Sequence, residues 1–170
     1  ARTSIYNYFD GLGLATSLDP FTYNTQTYYN VVAVKPGKTT PSDIYIVGAH
    51  YDTVNNPGAD DNASGVAGIM EIARAFAPYE FEATLKFIAF DREEQGLRGS
   101  AAYANNHASD NILGMVSLDM IAYNDPSPTR HDTALIYGRT TSNAIKLTLA
   151  NAIGEYGNGI TATVMGQFDA

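Results

Sequence analysis

The chain has no cysteine. That excludes disulfides and thiolate metal sites, so any metal here is held by histidine, aspartate and glutamate. Basic residues are scarce as well: ten Lys and Arg against eighteen Asp and Glu give a formal net charge of −8. Nucleic-acid phosphates are bound by clustered cations, and these are scattered, which argues against a nucleic-acid partner. No uncharged apolar run approaches the roughly 18 residues that a membrane-spanning helix needs, so no membrane partner is expected. Repeats, low-complexity tracts and interdomain linkers are missing too, and the start of the chain shows no basic-then-apolar leader. What remains is 170 residues with 45% hydrophobic content, enough for one buried core. The expectation is a single domain over residues 1–170, mature or excised. Few lysines and twelve tyrosines lean towards a secreted or extracytoplasmic protein.

Strand signals alternate with helix signals. Tyr28–Val34 is rich in β-branched and aromatic residues and closes on the turn pair Pro36-Gly37. Asp43–His50, Thr84–Phe90, Ile112–Leu118 and Thr133–Tyr137 read as further strands. Between them Val66, Ile69, Met70, Ala73 and Phe76 recur at helical spacing, with Ser64 or Asn62 as N-cap and Pro78 as stop. Ser100–Asn106 reads as a short helix, and Ile145, Leu149, Ala152 and Ile153 mark another, ended near Gly154 or Gly157. Residues 1–27 are expected to hold a short helix around Ser4–Phe9 and an irregular lead-in. This alternation predicts an α/β fold of three α/β/α layers around a mostly parallel, mixed central sheet. Such sheets bind ligands beyond the carboxyl ends of their strands.

The polar residues collect there. His50 closes one strand, Asp91-Arg92-Glu93-Glu94 follows the next, and Asp119 follows the one after. The loop "VGAHYDTVNNPGADDNASG" (47–65) adds Asp52, Asp60 and Asp61. Carboxylates crowded together raise one another's pKa and destabilise the fold, and Arg92 and Arg98 are the only nearby cations. A divalent ion removes the conflict. Oxygen ligands alone suit calcium or magnesium, whereas the added imidazole favours zinc, with manganese or cobalt also accepted. More carboxylates than one ion needs suggest a two-metal hydrolytic centre. Asp52, two residues after His50, has the spacing of a carboxylate that orients a ligating imidazole. Adjacent Glu93 and Glu94 can both face the site only if the chain turns there, and the chemistry of the residues leaves open which is ligand and which is base. Each signal alone has a plainer explanation: His-x-Asp is common in polar loops, Glu pairs are usually solvated, and strand-end aspartates often cap turns. Asn62-Ala63-Ser64 matches a glycosylation sequon, read as accidental. The joint placement at successive strand ends favours the metal.

With these residues in view, the chain resembles the co-catalytic zinc aminopeptidases of the bacterial leucyl aminopeptidase type, relatives of zinc carboxypeptidases and glutaminyl cyclases. The resemblance rests on "GAHYDT" (48–53), "PGADDNASGVAG" (57–68), "FDREEQGLRGSAAYA" (90–104) and "SLDMIAY" (117–123). It implies a zinc-exopeptidase fold and a hydrolase of N-terminal peptide bonds acting on peptide substrates. By the same resemblance His50 and Asp119 hold one zinc, Asp61 bridges two, Glu94 holds the other, Glu93 is the general base and Asp52 supports His50. Asp60 is the alternative to Asp61, and the Asp61–Asn62 peptide is expected to be cis.

One departure stands out. The family takes a last zinc ligand from a histidine in a Ser-Asp-His-like triplet, and this chain runs to Gly166-Gln167-Phe168-Asp169-Ala170 without it. Its other histidines, His107 and His131, are expected on the surface and off the metal. The chain is therefore expected to be truncated at its C-terminal side, with a further segment or a second chain completing the second zinc site. Two alternatives follow: a one-zinc glutaminyl-cyclase-like enzyme, or a non-catalytic metal- or peptide-binding fragment.

Overall fold

The computed structural model describes residues 1–127 and 131–166. They divide into two compact units, Ala1–Ile121 and Ala122–Ala170. The first unit contains helix α1 (Arg2–Gly11), strands β1 (Ala15–Tyr23), β2 (Gln26–Lys35) and β3 (Thr40–His50), helix α2 (Ala63–Phe76), strand β4 (Ala83–Phe90), helix α3 (Arg98–Asn106) and strand β5 (Asn111–Ser117). The second contains β6 (Thr133–Ile136), α4 (Asn143–Tyr156) and β7 (Thr161–Val164). No helix among the described residues is long and apolar enough to cross a membrane.

The first unit is built on a five-stranded sheet in the order β1-β2-β4-β3-β5. β3 runs parallel to both β4 and β5, while β2 is antiparallel to β4 and to β1. The sheet is thus α/β and mixed as expected, with its parallel half on the β4-β3-β5 side. Period-2 alternation sorts its side chains into two faces. Val31, Ala33, Ala49, Phe87 and Ala89 pack under Ile5 and Phe9 of α1 and Val66, Ile69 and Ala73 of α2. Val32, Ile44, Ile46, Ile88 and Phe90 pack on the opposite face with Tyr103 of α3. Helices cover both faces at the centre of the sheet, while the edge strands β1 and β5 stay largely exposed.

One expectation fails. The irregular lead-in expected before residue 28 contains a nine-residue strand, β1, in register with β2 from Ala15↔Val34 to Tyr23↔Gln26. The two strands are joined by a two-residue turn in which Asn24 and Thr25 both have positive φ, 47° and 65°. Right-handed strand twist demands such a turn, but Asn-Thr lacks the glycine that usually announces it. Pro20 hid the strand further, and it is tolerated because β1 is an edge strand.

In the second unit β6 and β7 pair in parallel. The Lys146 ammonium of α4 is buried there and donates to the carbonyls of Gly138 (2.9 Å) and Met165 (3.2 Å), which follow the two strands.

Candidate metal centre

Because β3, β4 and β5 are parallel and adjacent, their carboxyl ends share one edge, and His50 lies in register with Phe90. β3 delivers His50, the chain leaving β4 delivers Glu93 and Glu94, and the chain leaving β5 delivers Asp119. The loop before α2 adds Asp61. The imidazole Nε2 lies 3.2 Å from Asp61 Oδ1, 3.6 Å from Asp119 Oδ1 and 3.9 Å from Glu93 Oε2.

Local backbone features create this convergence. Arg92, the second residue after β4, has φ 60°, and this left-handed residue supplies the turn that adjacent glutamates require. Its guanidinium lies 4.1 Å from the centre of the Tyr28 ring rather than on a carboxylate. Beyond it the loop folds on itself through Leu97 N–H to Glu93 O and Gly99 N–H to Asp91 O. The Asp61–Asn62 peptide is cis, as the resemblance implies. Asn62, fully buried, caps α2 by accepting from the Gly65 N–H (2.9 Å). The same side chain donates to Leu118 O (2.9 Å) and accepts from Met120 N–H (3.3 Å), gripping the backbone on both sides of Asp119. A buried amide also cannot serve as the glycosylation acceptor that its sequon suggested.

Asp52 does more than its spacing foretold. The nearest contact to His50 Nδ1 is the Asp52 carbonyl at 3.1 Å, with the carboxylate at 3.6 Å. That carboxylate accepts the N–H groups of Glu93 (3.0 Å) and Glu94 (3.2 Å), so it ties the glutamate loop to the histidine strand. Asp61 rather than Asp60 faces His50, because Asp60 accepts the Ser64 hydroxyl through its carbonyl (2.7 Å) and carboxylate (3.1 Å) at the start of α2. His107 follows α3, where it stacks on Tyr103 and meets Asp110 (3.3 Å) and Asp19 (3.8 Å). His131 binds Asp132 at 2.8 Å in the second unit. His107 does not belong to the group around His50. The stretch read as leading up to a missing histidine falls largely on residues 167–170, outside the described residues.

Charges at the site are strongly coupled. Burial pushes the His50 imidazolium towards losing its proton, but hydrogen bonds to Asp119 and Asp52 and the Glu93 charge outweigh it, raising its pKa to about 10. Burial raises the Glu93 pKa, partly opposed by His50 and reinforced by Asp119, Asp52 and Glu94. Burial also acts to raise that of Asp52, but His50 and the two loop N–H groups prevail and hold it below the usual range.

The donor set fits a zinc ion. Nitrogen and oxygen ligands about 2.1 Å from a tetrahedral ion stand roughly 3.4 Å apart, close to the 3.2 and 3.6 Å separating His50 Nε2 from Asp61 and Asp119. One ligand atom from each of these three residues lies within 4.8 Å of the other two. The Glu94 Oε1 atom is buried with no hydrogen-bond partner, an uncompensated acceptor of the kind a cation satisfies. Among the described residues, three donors suffice for one zinc with an open position, and a second ion would find fewer.

An α/β domain with an imidazole and carboxylates converging beyond its parallel strands defines the class: a zinc-hydrolase-like protein. The sequence pattern of Peptidase family M28 matches residues 30–168, and the chain belongs to that family. A probable zinc metalloprotease of Pyrenophora tritici-repentis is 37% identical over 154 residues, covering 81% of this chain and 35% of its own length. The LapA aminopeptidase of Legionella pneumophila superimposes with a TM-score of 0.75 at 25% identity, over 96% of this chain and 45% of that one. A glutaminyl cyclase of Bacteroides thetaiotaomicron shares the fold, with a TM-score of 0.74 at 17% identity over 98% of this chain and 68% of its own. The chain thus spans about a third of the length of that curated relative and just under half of LapA.

Proposed function

We propose that this chain carries the zinc-holding part of an exopeptidase that hydrolyses the N-terminal peptide bond of peptides. The observation that carries this is Glu93, whose carboxylate stands 3.9 Å from the imidazole nitrogen of a three-donor metal group and whose proton affinity is raised. His50, Asp61 and Asp119 would hold zinc, with Glu94 available to a second ion. A bound ion supplies Lewis acidity, polarising the scissile carbonyl and acidifying a water. Glu93 Oε2 takes the proton of the attacking water and delivers it to the leaving amine nitrogen; a pKa moved up towards neutrality suits both transfers. Asp52 fixes the base by accepting the Glu93 N–H. The likeness to the LapA aminopeptidase at 25% identity supports an aminopeptidase over a carboxypeptidase.

Glu93→Gln removes the proton acceptor and keeps the shape. The expected outcome is a fall in kcat of about 10²–10⁴-fold with zinc content unchanged, measured on C-terminally blocked peptides. Unchanged turnover would sink the assignment, and cleavage of N-blocked peptides alone would make the enzyme a carboxypeptidase. The three-donor group also suits a one-zinc glutaminyl cyclase. Loss of ammonia from an N-terminal glutaminyl peptide, read by mass, favours that second activity.

A further inference from the structure

Asn30 has no place in the metal group, yet it is among the most completely buried side chains of the protein. It sits on β2 opposite Asp19 of β1. Its amide nitrogen donates to Asp19 Oδ2 (3.0 Å) and to the Gly99 carbonyl (3.0 Å), and its oxygen accepts the Asp91 N–H (3.1 Å). Asp91 opens the loop that presents Glu93 and Glu94, and Gly99 lies in the first turn of α3, which closes it. One side chain therefore grips both ends from below, while the Asp52 carboxylate grips the middle from the histidine side.

The packing around this contact is close. A Cβ on Gly99 would stand 2.3 Å from the Asp91 carbonyl and 2.4 Å from Asn30 Oδ1, so only glycine lets the loop ends approach the amide. A third tie comes from the Tyr51 hydroxyl, which donates to Asp91 Oδ2 and to Tyr29 O, both at 2.8 Å. A buried amide among the valine, alanine and tyrosine residues at 28–34 of this strand is unfavourable unless every polar atom is used, and here they are. An apolar residue would pack more simply at this position but would leave the Asp91 N–H unpaired.

We infer that Asn30 is the positioning residue of the Glu93–Glu94 loop, fixing from the far side of the sheet edge where the proton acceptor stands relative to His50. It rests on Glu93 acting as the proton acceptor proposed for the exopeptidase. Asn30 touches neither substrate nor metal donors, and its effect passes through Asp91 and Gly99.

The test is Asn30→Ala in the full chain, read by amide hydrogen exchange, zinc titration and peptidase kinetics. Expected are faster exchange at Asp91, Glu93 and Glu94 with the β3 amides still protected, and a first equivalent of zinc bound within threefold of the original affinity. Turnover should fall about 10- to 100-fold through kcat rather than KM, since a misplacement near 1 Å costs on that order. A merely structural role would lower stability without splitting kcat from zinc affinity. Unchanged exchange in the loop overturns the inference, whatever happens to activity. A released loop with undiminished kcat leaves Asn30 holding the loop and overturns Glu93 as the base. Should the variant not fold, exchange in the unaltered protein decides: an Asp91 amide as slow as those of β4 supports the grip, and one as fast as exposed loop amides overturns it.

Discussion

At the scale of single residues, the site is a competition between a proton and a cation for His50. With no ion bound, three carboxylates lie within 3.9 Å of its Nε2, and they hold the imidazole protonated up to about pH 10, against an ordinary value of 6.5. A raised pKa stabilises the ion-free fold fully below 6.5, and that contribution is lost as pH rises towards 10. Zinc must displace the same proton. Binding at pH 7 is therefore expected to release about one proton, with apparent affinity rising with pH. Calorimetric titration in two buffers of different ionisation enthalpy measures this directly, and zero release would show His50 already neutral. His50 and Asp119 were legible in the sequence as candidate ligands because ligand chemistry restricts which residue types a metal accepts, whereas Asp61 was set apart from Asp60 only by the resemblance. Asn30 and Asn62 were not legible, since an amide's partners lie far away in sequence: Asn62 showed as a helix cap, and nothing near it announced Leu118. The one local hint at Asn30 was a strand-poor residue heading an apolar run.

At the scale of elements, each strand and helix that carries the site was visible as periodicity, while β1 was not. Its disguise is chemical: Pro20 inside it and Thr25 in the left-handed region of the turn. A β-branched residue at φ 65° is strained. Thr25→Gly is expected to relieve the strain and to stabilise the protein by about 0.5 kcal/mol after the greater chain entropy of glycine is counted. Urea unfolding monitored by circular dichroism checks the sign, and a loss of stability would show that Thr25 contributes contacts worth more than the strain. The hairpin matters to the site because β1 supplies Asp19 to Asn30 and β2 supplies Tyr28 to Arg92.

At the scale of the whole molecule, a chain of net charge −8 gathers several carboxylates at one sheet edge, and a bound cation stabilises it by relieving their repulsion. Zinc at about 100 times its dissociation constant is expected to add roughly 2.7 kcal/mol, a rise in Tm of about 5–10 °C for a chain of this size that chelator reverses. A Tm indifferent to zinc would mean no ion binds the folded state. The sequence alone determined the α/β class and the ligand types, because hydrophobic period and coordination chemistry are local properties of the chain. Tertiary structure alone decided the strand order β1-β2-β4-β3-β5 and that Asn30 and Asp52 clamp the glutamate loop. Those outcomes depend on register between strands and on hydrogen bonds spanning 41 to 69 residues, distances over which only the folded packing specifies which groups meet.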